Sequence, residues 1–428
     1  MRVAFTGGGT GGHIYPCLAV AELFEYENRH TDGQKSSIYY IGNAAKLEEE
    51  LCSRKNYVQF LPINAPKLPS KSSSLKEKLT WFAEFHKAYK LSVDYIKKNK
   101  IDAVMGTGGY VAAPVFLACV STKTKFLIHN LDSNFGLVNK LFRKFADIIT
   151  LGFPMKLALS DKHHYTGNPV SHDFVRIYEA LNPSDENLEA DDSINLKMFL
   201  SEGEKESFSE KLKREKKKKL VDENHLKVLV SGGSQGSQFI NDSVGALIKS
   251  FEDFNERLSL YGKRISIIHV TGPKLFKEHI DYHLDGNPHK YPNYKVLSYT
   301  HEMADICKEV DIAICRAGAM TCAEMAVTQT VPIFIPLPWA ANDHQTKNAE
   351  ALVNYGCGFM IRQDQTNNQK RQAEIFDLIL ELAKNSELLI EMKKKLRRFA
   401  KPESTKEIFT LLKSLVGDKS VSGVKTTA

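Results

Sequence analysis

Gly7-Gly8-Gly9-Thr10-Gly11-Gly12-His13 puts an imidazole and a hydroxyl into a loop whose backbone N–H groups no side chain shields. Such a loop, opening a helix, holds a phosphate or a sugar hydroxyl without a charged side chain. An imidazole there titrates near neutral pH, which suits a general base or a group that orients a substrate hydroxyl. The competing role for His13 is to bond its own loop and only shape it. Gly7, Gly9 and Gly12 also satisfy G-x-G-x-x-G. A dinucleotide site needs, in addition, an acidic ribose reader about 20 residues on, at the end of the second strand. That strand, Ser37 to Ile41, ends in Gly42-Asn43, so a dinucleotide is disfavoured.

A second dense stretch is Arg316-Ala317-Gly318-Ala319-Met320-Thr321-Cys322-Ala323-Glu324. Glu324 lies four residues past Met320 and therefore on the same helix face. A carboxylate there can accept hydrogen bonds from both hydroxyls of a ribose, whereas a lone helix glutamate is by default solvated. Asn342 to Ala349 follows the proline-rich Pro332 to Trp339 and packs polar side chains into a loop held stiff by those prolines. His279 and His283 stand at i, i+4 but lack the glutamate of H-E-x-x-H, and they read as solvated. No D-x-D motif offers itself for a metal, and none of the seven cysteines forms a C-x-x-C pair. A reduced compartment without structural zinc is the expectation.

The elements that must position these residues alternate. Strand candidates are Val3 to Phe5, Ser37 to Ile41, Ala103 to Met105, Lys125 to His129 and Ile148 to Thr150. After residue 224 the opening grammar repeats: strand Lys227 to Val230, glycine loop 232–236, helix Phe239 to Phe251. Strands Ile265 to Val270, Lys295 to Leu297, Asp311 to Cys315 and Pro332 to Pro336 follow. This is the pattern of two parallel α/β sheets whose ligands bind beyond the carboxyl ends of the strands. Two such halves imply similar domains facing a cleft. The last helices, Ser386 to Arg398 and Ser404 to Leu415, carry no chemical signal.

The chain has 428 residues, 42% hydrophobic and 25% charged, with a formal charge of +7. The length predicts two or three domains, and the charge suits an anionic partner without choosing among lipid, phosphate and nucleic acid. The longest apolar stretches, Tyr110 to Val120 and Val331 to Ala341, fall short of the roughly 20 residues of a membrane span. Met1-Arg2 leads directly into strand and loop, which leaves no room for a signal peptide. Glu202 to Lys219 holds five glutamates and eight Lys or Arg residues. It predicts a solvated linker and not a nucleic-acid surface, since no aromatics interleave with its run of lysines from 211 to 219. Lys67, Lys71, Lys76 and Lys78 surround Leu75, Leu79, Trp81, Phe82 and Phe85. That composition fits either a helix lying in a membrane interface or a core-facing helix with solvated lysines.

Taken in order, Gly-Gly-Thr-Gly-Gly-His at 8–13, Gly-Gly-Tyr-Val at 108–111, Thr-Gly-Asn-Pro-Val at 166–170 and Gly-Gly-Ser-Gln-Gly at 232–236 resemble the MurG family. Arg-x-Gly-Ala-x-Thr-x-x-Glu at 316–324 and Asp-His-Gln-x-x-Asn-Ala at 343–349 complete the set. Each motif is weak alone, but the ordered set is specific and spans nearly the whole chain apart from the linker and tail. The resemblance implies a glycosyltransferase-B fold, with two Rossmann-like domains facing a central cleft. Residues 1–170 would bind the acceptor, 182–224 would be a charged linker, and 225–400 would bind the UDP-sugar. The last helix, about 402–418 in this numbering, would return to the first domain.

The implied activity is inverting transfer of N-acetylglucosamine from UDP-N-acetylglucosamine to the C4 hydroxyl of an undecaprenyl-diphosphate-linked muramyl pentapeptide. This is a step of peptidoglycan synthesis, at the cytoplasmic face of the bacterial inner membrane. The implied partners are donor, lipid-linked acceptor and an anionic membrane surface, with no metal, cofactor or nucleic acid. Carried over by position, Glu324 would bind the ribose and Gln345 the sugar hydroxyls. Ser234, Ala319 and Met320 would meet the diphosphate, and Thr300 with Met303 the uracil. Thr10, Gly11, Gly12 and His13 would line the reacting centre, with His13 as base and Tyr110 close by. Two positions depart from the family pattern. Asp132, in His129-Asn130-Leu131-Asp132, stands where an asparagine contacts the sugar, and Ser171 stands where an arginine usually follows Thr-Gly-Asn-Pro-Val. Two other readings share the fold: a UDP-sugar 2-epimerase, and a sugar-nucleotide-binding scaffold without activity.

Overall fold

The computed structural model describes residues 1–31, 35–70, 72–155, 160–182, 224–249, 255–256, 258–260, 262–363 and 368–417; the charged linker at 183–223 lies outside them. The chain forms two compact units, Met1–Ser171 together with the residues from Glu403 on, and His172–Pro402.

In the first unit β1 (Arg2–Thr6), α1 (Gly11–His30), β2 (Ser37–Asn43), α2 (Leu47–Ser53), β3 (Val58–Ile63), α3 (Leu75–Lys98), β4 (Ala103–Gly106), α4 (Gly109–Thr122), β5 (Lys125–Asn130), α5 (Leu137–Phe142), β6 (Ile148–Leu151) and β7 (His163–Tyr165) follow one another. The strands form one parallel sheet in the order β3-β2-β1-β4-β5-β6-β7. Helices cover both faces, so the middle of β1, Val3-Ala4-Phe5, is apolar instead of alternating. Val3 and Phe5 pack with Ile14, Cys17 and Phe24 of α1, while Ala4 points the other way, into the layer of Val115 and Phe116 from α4. The sequence placed the start of α1 at Pro16. The helix begins five residues earlier, at Gly11, and carries the proline inside. The buried Ile14, Cys17, Leu18 and Phe24 outweigh the one backbone bond that Pro16 cannot make.

The second unit repeats the plan. It contains α6 (His172–Leu181), β8 (His225–Ser231), α7 (Gln238–Lys249), β9 (Arg264–Val270), α8 (Phe276–His283), β10 (Tyr294–Leu297), α9 (Met303–Glu309), β11 (Ile312–Cys315), α10 (Ala319–Thr328), β12 (Val331–Phe334), α11 (His344–Val353), β13 (Phe359–Met360), α12 (Asn368–Lys384) and α13 (Ser386–Phe399). Its parallel order is β10-β9-β8-β11-β12-β13. One device recurs in both sheets. An aspartate just ahead of the strand beyond the switch, Asp102 before β4 and Asp311 before β11, accepts the backbone N–H of Arg2 or Lys227 on its neighbour. Asp311 also pairs with the buried Lys393 at 2.7 Å.

The final helix, α14 (Ser404–Ser414), belongs to the first unit. Ser404 donates to the Gly167 carbonyl at 2.7 Å, Phe409 lies 4.5 Å from the Phe24 ring, and Lys413 meets Glu27 at 2.6 Å. Both sheets are doubly wound, and the strand order reverses at β1/β4 in one and at β8/β11 in the other. Crevices for ligands open at those points. Every glycine-rich motif of the sequence lies at one of these two reversals or on the strand next to it.

Candidate active site

At the β1/β4 reversal the loop 7–10 meets the loop 107–109. The two backbones touch: a Cβ added to Gly109 would sit 2.6 Å from the Gly8 carbonyl oxygen, and Gly109 has φ +75, so only glycine serves here. Thr107 locks His13 from both sides. Its Oγ1 donates to the His13 carbonyl at 2.7 Å, and its own carbonyl lies 3.2 Å from His13 Nδ1. A carbonyl only accepts, so Nδ1 carries the proton and Nε2 of the neutral ring carries the lone pair. Asn139 donates to the same Thr107 carbonyl at 3.4 Å and to Asn130 Oδ1 at 3.1 Å. Asn130 in turn holds the turn after β5 by donating to the Asp132 and Asn134 carbonyls. His13, Thr107, Asn139, Asn130 and the turn carrying Asp132 are thus one connected set.

Thr10 and Gly12 are exposed at the mouth of the loop, and Gly11 is buried at the start of α1. Tyr110 lies over Gly9, whose added Cβ would stand 3.0 Å from its ring. Its hydroxyl meets Asn43 at 3.4 Å and Lys67 lies 5.9 Å over the ring. Below the loop Glu48 accepts the Gly9 N–H at 3.0 Å. His129, fully buried, is held by Thr150 and Asn168 at 2.9 Å each. Burial pushes its pKa down to about 4, so it is a neutral brace and not an acid–base group at pH 7.

At the β8/β11 reversal Glu324 is half-buried on α10, and its carboxylate makes no hydrogen bond or ion pair among the described residues. Burial raises its pKa to about 7. A desolvated carboxylate without partners is poised to accept hydroxyl protons from a ligand. Ala319 and Met320 open the same helix after Gly318. Arg316, 9% exposed, reaches under the glycine loop: its guanidinium donates to Ser237 Oγ at 2.6 Å and to the Ile335 carbonyl at 2.9 Å. Ser234 stands exposed at the tip of that loop. Gln345 spends its side-chain oxygen on the Leu337 N–H at 3.0 Å, which leaves the amide NH2 as the group to meet a ligand. Asn348, fully buried, ties α11 to the Ala317 carbonyl at 3.2 Å. Thr300 accepts the Glu302 N–H and shapes the turn before α9.

The structure therefore gathers Thr10, Gly11, Gly12, His13, Tyr110 and Asp132 within the first unit. Ser171 is exposed at that unit's edge. Ser234, Thr300, Ala319, Met320, Glu324 and Gln345 fall in the second. Two expectations fail. Asn342 to Ala349 is not a loop throughout, because residues from His344 on begin α11. His279 and His283 are not solvated but 3% and 5% exposed. Tyr294 Oη lies 2.7 Å from His279 Nε2 and 2.6 Å from His269 Nδ1, and β9 with β10 closes over the helix that would otherwise expose them. Thr107 and Glu48 escaped the sequence reading, and Asn348 was read only as part of the 343–349 motif, without its bond to Ala317. Each acts through a contact distant in the chain that no local pattern marks.

Two family patterns cover most of the chain: the glycosyltransferase family 28 N-terminal domain at residues 3–150 and its C-terminal domain at 227–408. The UDP-N-acetylglucosamine--N-acetylmuramyl-(pentapeptide) pyrophosphoryl-undecaprenol N-acetylglucosamine transferase of Desulforamulus reducens is 31% identical over 97% of this chain and 99% of its own. The crystal structure of Acinetobacter baumannii MurG superposes with a TM-score of 0.67 at 24% identity, covering 96% of this chain and 99% of that one. A putative UDP-N-acetylglucosamine 2-epimerase from Listeria monocytogenes shares the fold at TM-score 0.61 and 10% identity, over 100% of this chain and 99% of the other. The fold is the glycosyltransferase-B fold, and epimerases use it too. The sequence identity carried over nearly full length separates the two cases, and the chain belongs to glycosyltransferase family 28, among the MurG transferases.

Proposed function

We propose that this chain transfers N-acetylglucosamine from UDP-N-acetylglucosamine to the C4 hydroxyl of an undecaprenyl-diphosphate-linked muramyl pentapeptide, with inversion at the transferred carbon. The observation that carries the reading is the pairing of a tautomer-fixed His13 in one glycine loop with an unpartnered, desolvated Glu324 beside the other. The first unit takes the acceptor. His13 Nε2 removes the proton of the C4 hydroxyl as its oxygen bonds to C1 of the sugar, and the bond from C1 to the β-phosphate oxygen breaks to release UDP. The second unit takes the donor, with Glu324 on the ribose, the Gln345 amide on the sugar, and Thr300 near the base. Backbone N–H groups at the starts of α7 and α10, with Arg316 behind them, meet the charge on the departing diphosphate. Arg316 offers a positive charge in this region although Ser171 replaces the arginine of the family pattern.

A lipid-linked acceptor keeps its diphosphate at a membrane surface, so the enzyme docks there. Among the described residues no helix is long and apolar enough to cross a membrane. On α3, Leu75, Leu79 and Phe82 are instead 74%, 63% and 67% exposed, amid Lys76, Lys78 and Lys87. An exposed apolar ridge flanked by cations fits a headgroup interface of the inner membrane's cytoplasmic leaflet. The test of the reaction is product formation from UDP-N-acetylglucosamine with and without a lipid-linked muramyl acceptor. Disaccharide formed only with acceptor is the expected result. Donor epimerised without acceptor would mean a 2-epimerase, and donor bound but unchanged would mean a scaffold.

A further inference from the structure

The loop between β12 and α11 is pinned along its length and exposes an indole at its tip. At its root the Ile335 and Pro336 carbonyls accept hydrogen bonds from the buried Arg316 guanidinium at 2.9 and 3.2 Å. In its middle the Leu337 N–H donates to Gln345 Oε1 at 3.0 Å, and the Ala340 N–H closes a turn on the Leu337 carbonyl at 3.1 Å. Pro336 and Pro338 fix two of its φ angles. Asn342 and Asp343 both stand in the left-handed region, with φ +55 and +54, which costs energy in any residue but glycine. The Lys347 ammonium holds the Asn342 carbonyl there at 3.1 Å. Pro338 and Trp339 are the two central residues of the turn, and Trp339 is 65% exposed. Among the described residues its indole N–H finds no acceptor, and its ring meets no aromatic or cationic side chain. Indole is a large, mostly apolar group that folding ordinarily draws out of water. Here a stiff loop holds it in solvent instead.

Gln345 ties this turn to the ligand. Its oxygen is spent on the Leu337 N–H, two residues before Trp339, and its amide NH2 is left for a sugar. A hexose asks for two kinds of contact: polar groups for its hydroxyls, and an apolar surface for the face on which its C–H bonds project. The face of an indole is broad and electron-rich, which suits C–H bonds polarised by neighbouring oxygens. We propose that Trp339 is a sugar-binding residue: its indole packs against the C–H face of the donor's pyranose ring while the Gln345 amide bonds the hydroxyls at the ring's edge. Trp339 thereby separates the sugar nucleotide from bare UDP, which Glu324 and Thr300 hold by its nucleoside. The identity of the donor rests on the transferase reading above. An indole on a preset turn gives up little freedom when it binds, so most of the contact appears as affinity. Covering roughly 55 Å² of apolar surface corresponds to about tenfold.

Calorimetry on the full chain uses UDP and UDP-N-acetylglucosamine as probes. A parent that binds no UDP, or binds it no better than Glu324→Ala does, overturns the transferase reading and this proposal with it. Where UDP binds and depends on Glu324, Trp339→Ala is expected to bind UDP like the parent and UDP-N-acetylglucosamine about tenfold more weakly. Trp339→Phe keeps a ring and is expected to lose less. Equal affinity of the parent and Trp339→Ala for the sugar nucleotide overturns the proposal and leaves the transferase reading standing. An equal loss for both probes overturns it too, because the indole would then not be reading the sugar. Fluorescence supplies an independent readout. Trp81 and Trp339 are the two tryptophans of the chain, so in Trp81→Phe all indole emission comes from Trp339. UDP-N-acetylglucosamine is expected to move that emission to shorter wavelength by drying the ring, whereas UDP is expected to leave it in place. Emission that moves alike with both probes, or with neither, overturns the assignment.

Discussion

In the proposed reaction two side chains, Glu324 and His13, have the central roles, and each makes a prediction of its own. Glu324 stays near pKa 7 because burial, with no compensating donor, disfavours its charged form. Ribose hydroxyls that donate to the carboxylate favour that form, so binding expels a proton and affinity climbs as pH rises from about 6 to 8. UDP-N-acetylglucosamine is the probe, because its diphosphate has no ionisation in that range, whereas a terminal phosphate titrates near pH 6. Glu324→Gln is expected to bind more weakly and without this pH dependence. Glu324→Ala is expected to lose about 1.5–3 kcal/mol of UDP binding, the worth of hydrogen bonds to a charged group. Unchanged calorimetric affinity would remove the residue from the site. His13→Ala acts elsewhere: turnover at saturating acceptor should fall on the order of 10²–10⁴-fold with UDP affinity intact. A variant with near-normal turnover would leave the histidine a structural role, through contacts such as its bond to Thr107.

Between elements, the interior of the second unit holds a chain of polar groups that the proposed reaction does not use. Asn241 on α7 meets His269 on β9 at 3.0 Å, Tyr294 on β10 lies between His269 and His279, and the His279 and His283 rings stand 4.9 Å apart on α8. Asn241 also donates to the Thr271 carbonyl at 3.0 Å, which presses against Gly236 of the glycine loop. Burial holds His269 well below its ordinary value and lowers His279 to about 4. Both are neutral in the folded protein at pH 5, while the unfolded chain takes up their protons from about pH 6.5 downward. Stability is therefore undiminished above pH 6.5 and falls as pH drops from there toward 4, by about 1.4 kcal/mol per pH unit for each histidine. Chemical denaturation between pH 7 and 5 measures the slope, and His279→Gln should flatten it. An identical slope in that variant would assign the acid sensitivity to other groups.

At the scale of the whole molecule, the charge of +7 and the apolar ridge of α3 predict docking to anionic bilayers. Lysines near such a surface contribute about 1 kcal/mol each and are screened by salt. Binding to anionic vesicles is expected to weaken at high salt, and Leu79→Glu with Phe82→Glu is expected to abolish most of it while UDP binding persists. Cosedimentation of the double variant equal to that of the parent would place the docking surface elsewhere. Core packing does not account for this ridge. Ala88, Ser92 and Ile96 are the buried residues of α3, all in its second half; in the first half Leu75, Leu79 and Phe82 project outward while Trp81 and Phe85 are half-buried.

The alternation of strands and helices, the repeat of the opening grammar and the glycine loops were legible in the chain alone, because each depends on residues close in sequence. Apolar runs such as Val3 to Phe5 can only be strands buried on both faces, and a glycine loop between strand and helix reads the same in any context. β3, β7 and β13 were missed, since Gln59 and Pro62 interrupt the apolar run of β3 and the other two strands are only three and two residues long. Charge and burial were decided by tertiary contacts alone. Glu48 stands among three consecutive glutamates at a helix start, where nothing local distinguishes it from its neighbours; only the path of Gly9, 39 residues away, buries it. His279 and His283 looked like surface residues until β9 and β10 brought His269 and Tyr294 over them. The tautomer of His13 depends on a carbonyl 94 residues downstream, at the end of β4. Residue types and short spacings thus determined the architecture, and the ordered motifs carried the family resemblance that implied the reaction class, while the protonation and exposure of individual groups followed from which distant backbone lay against them.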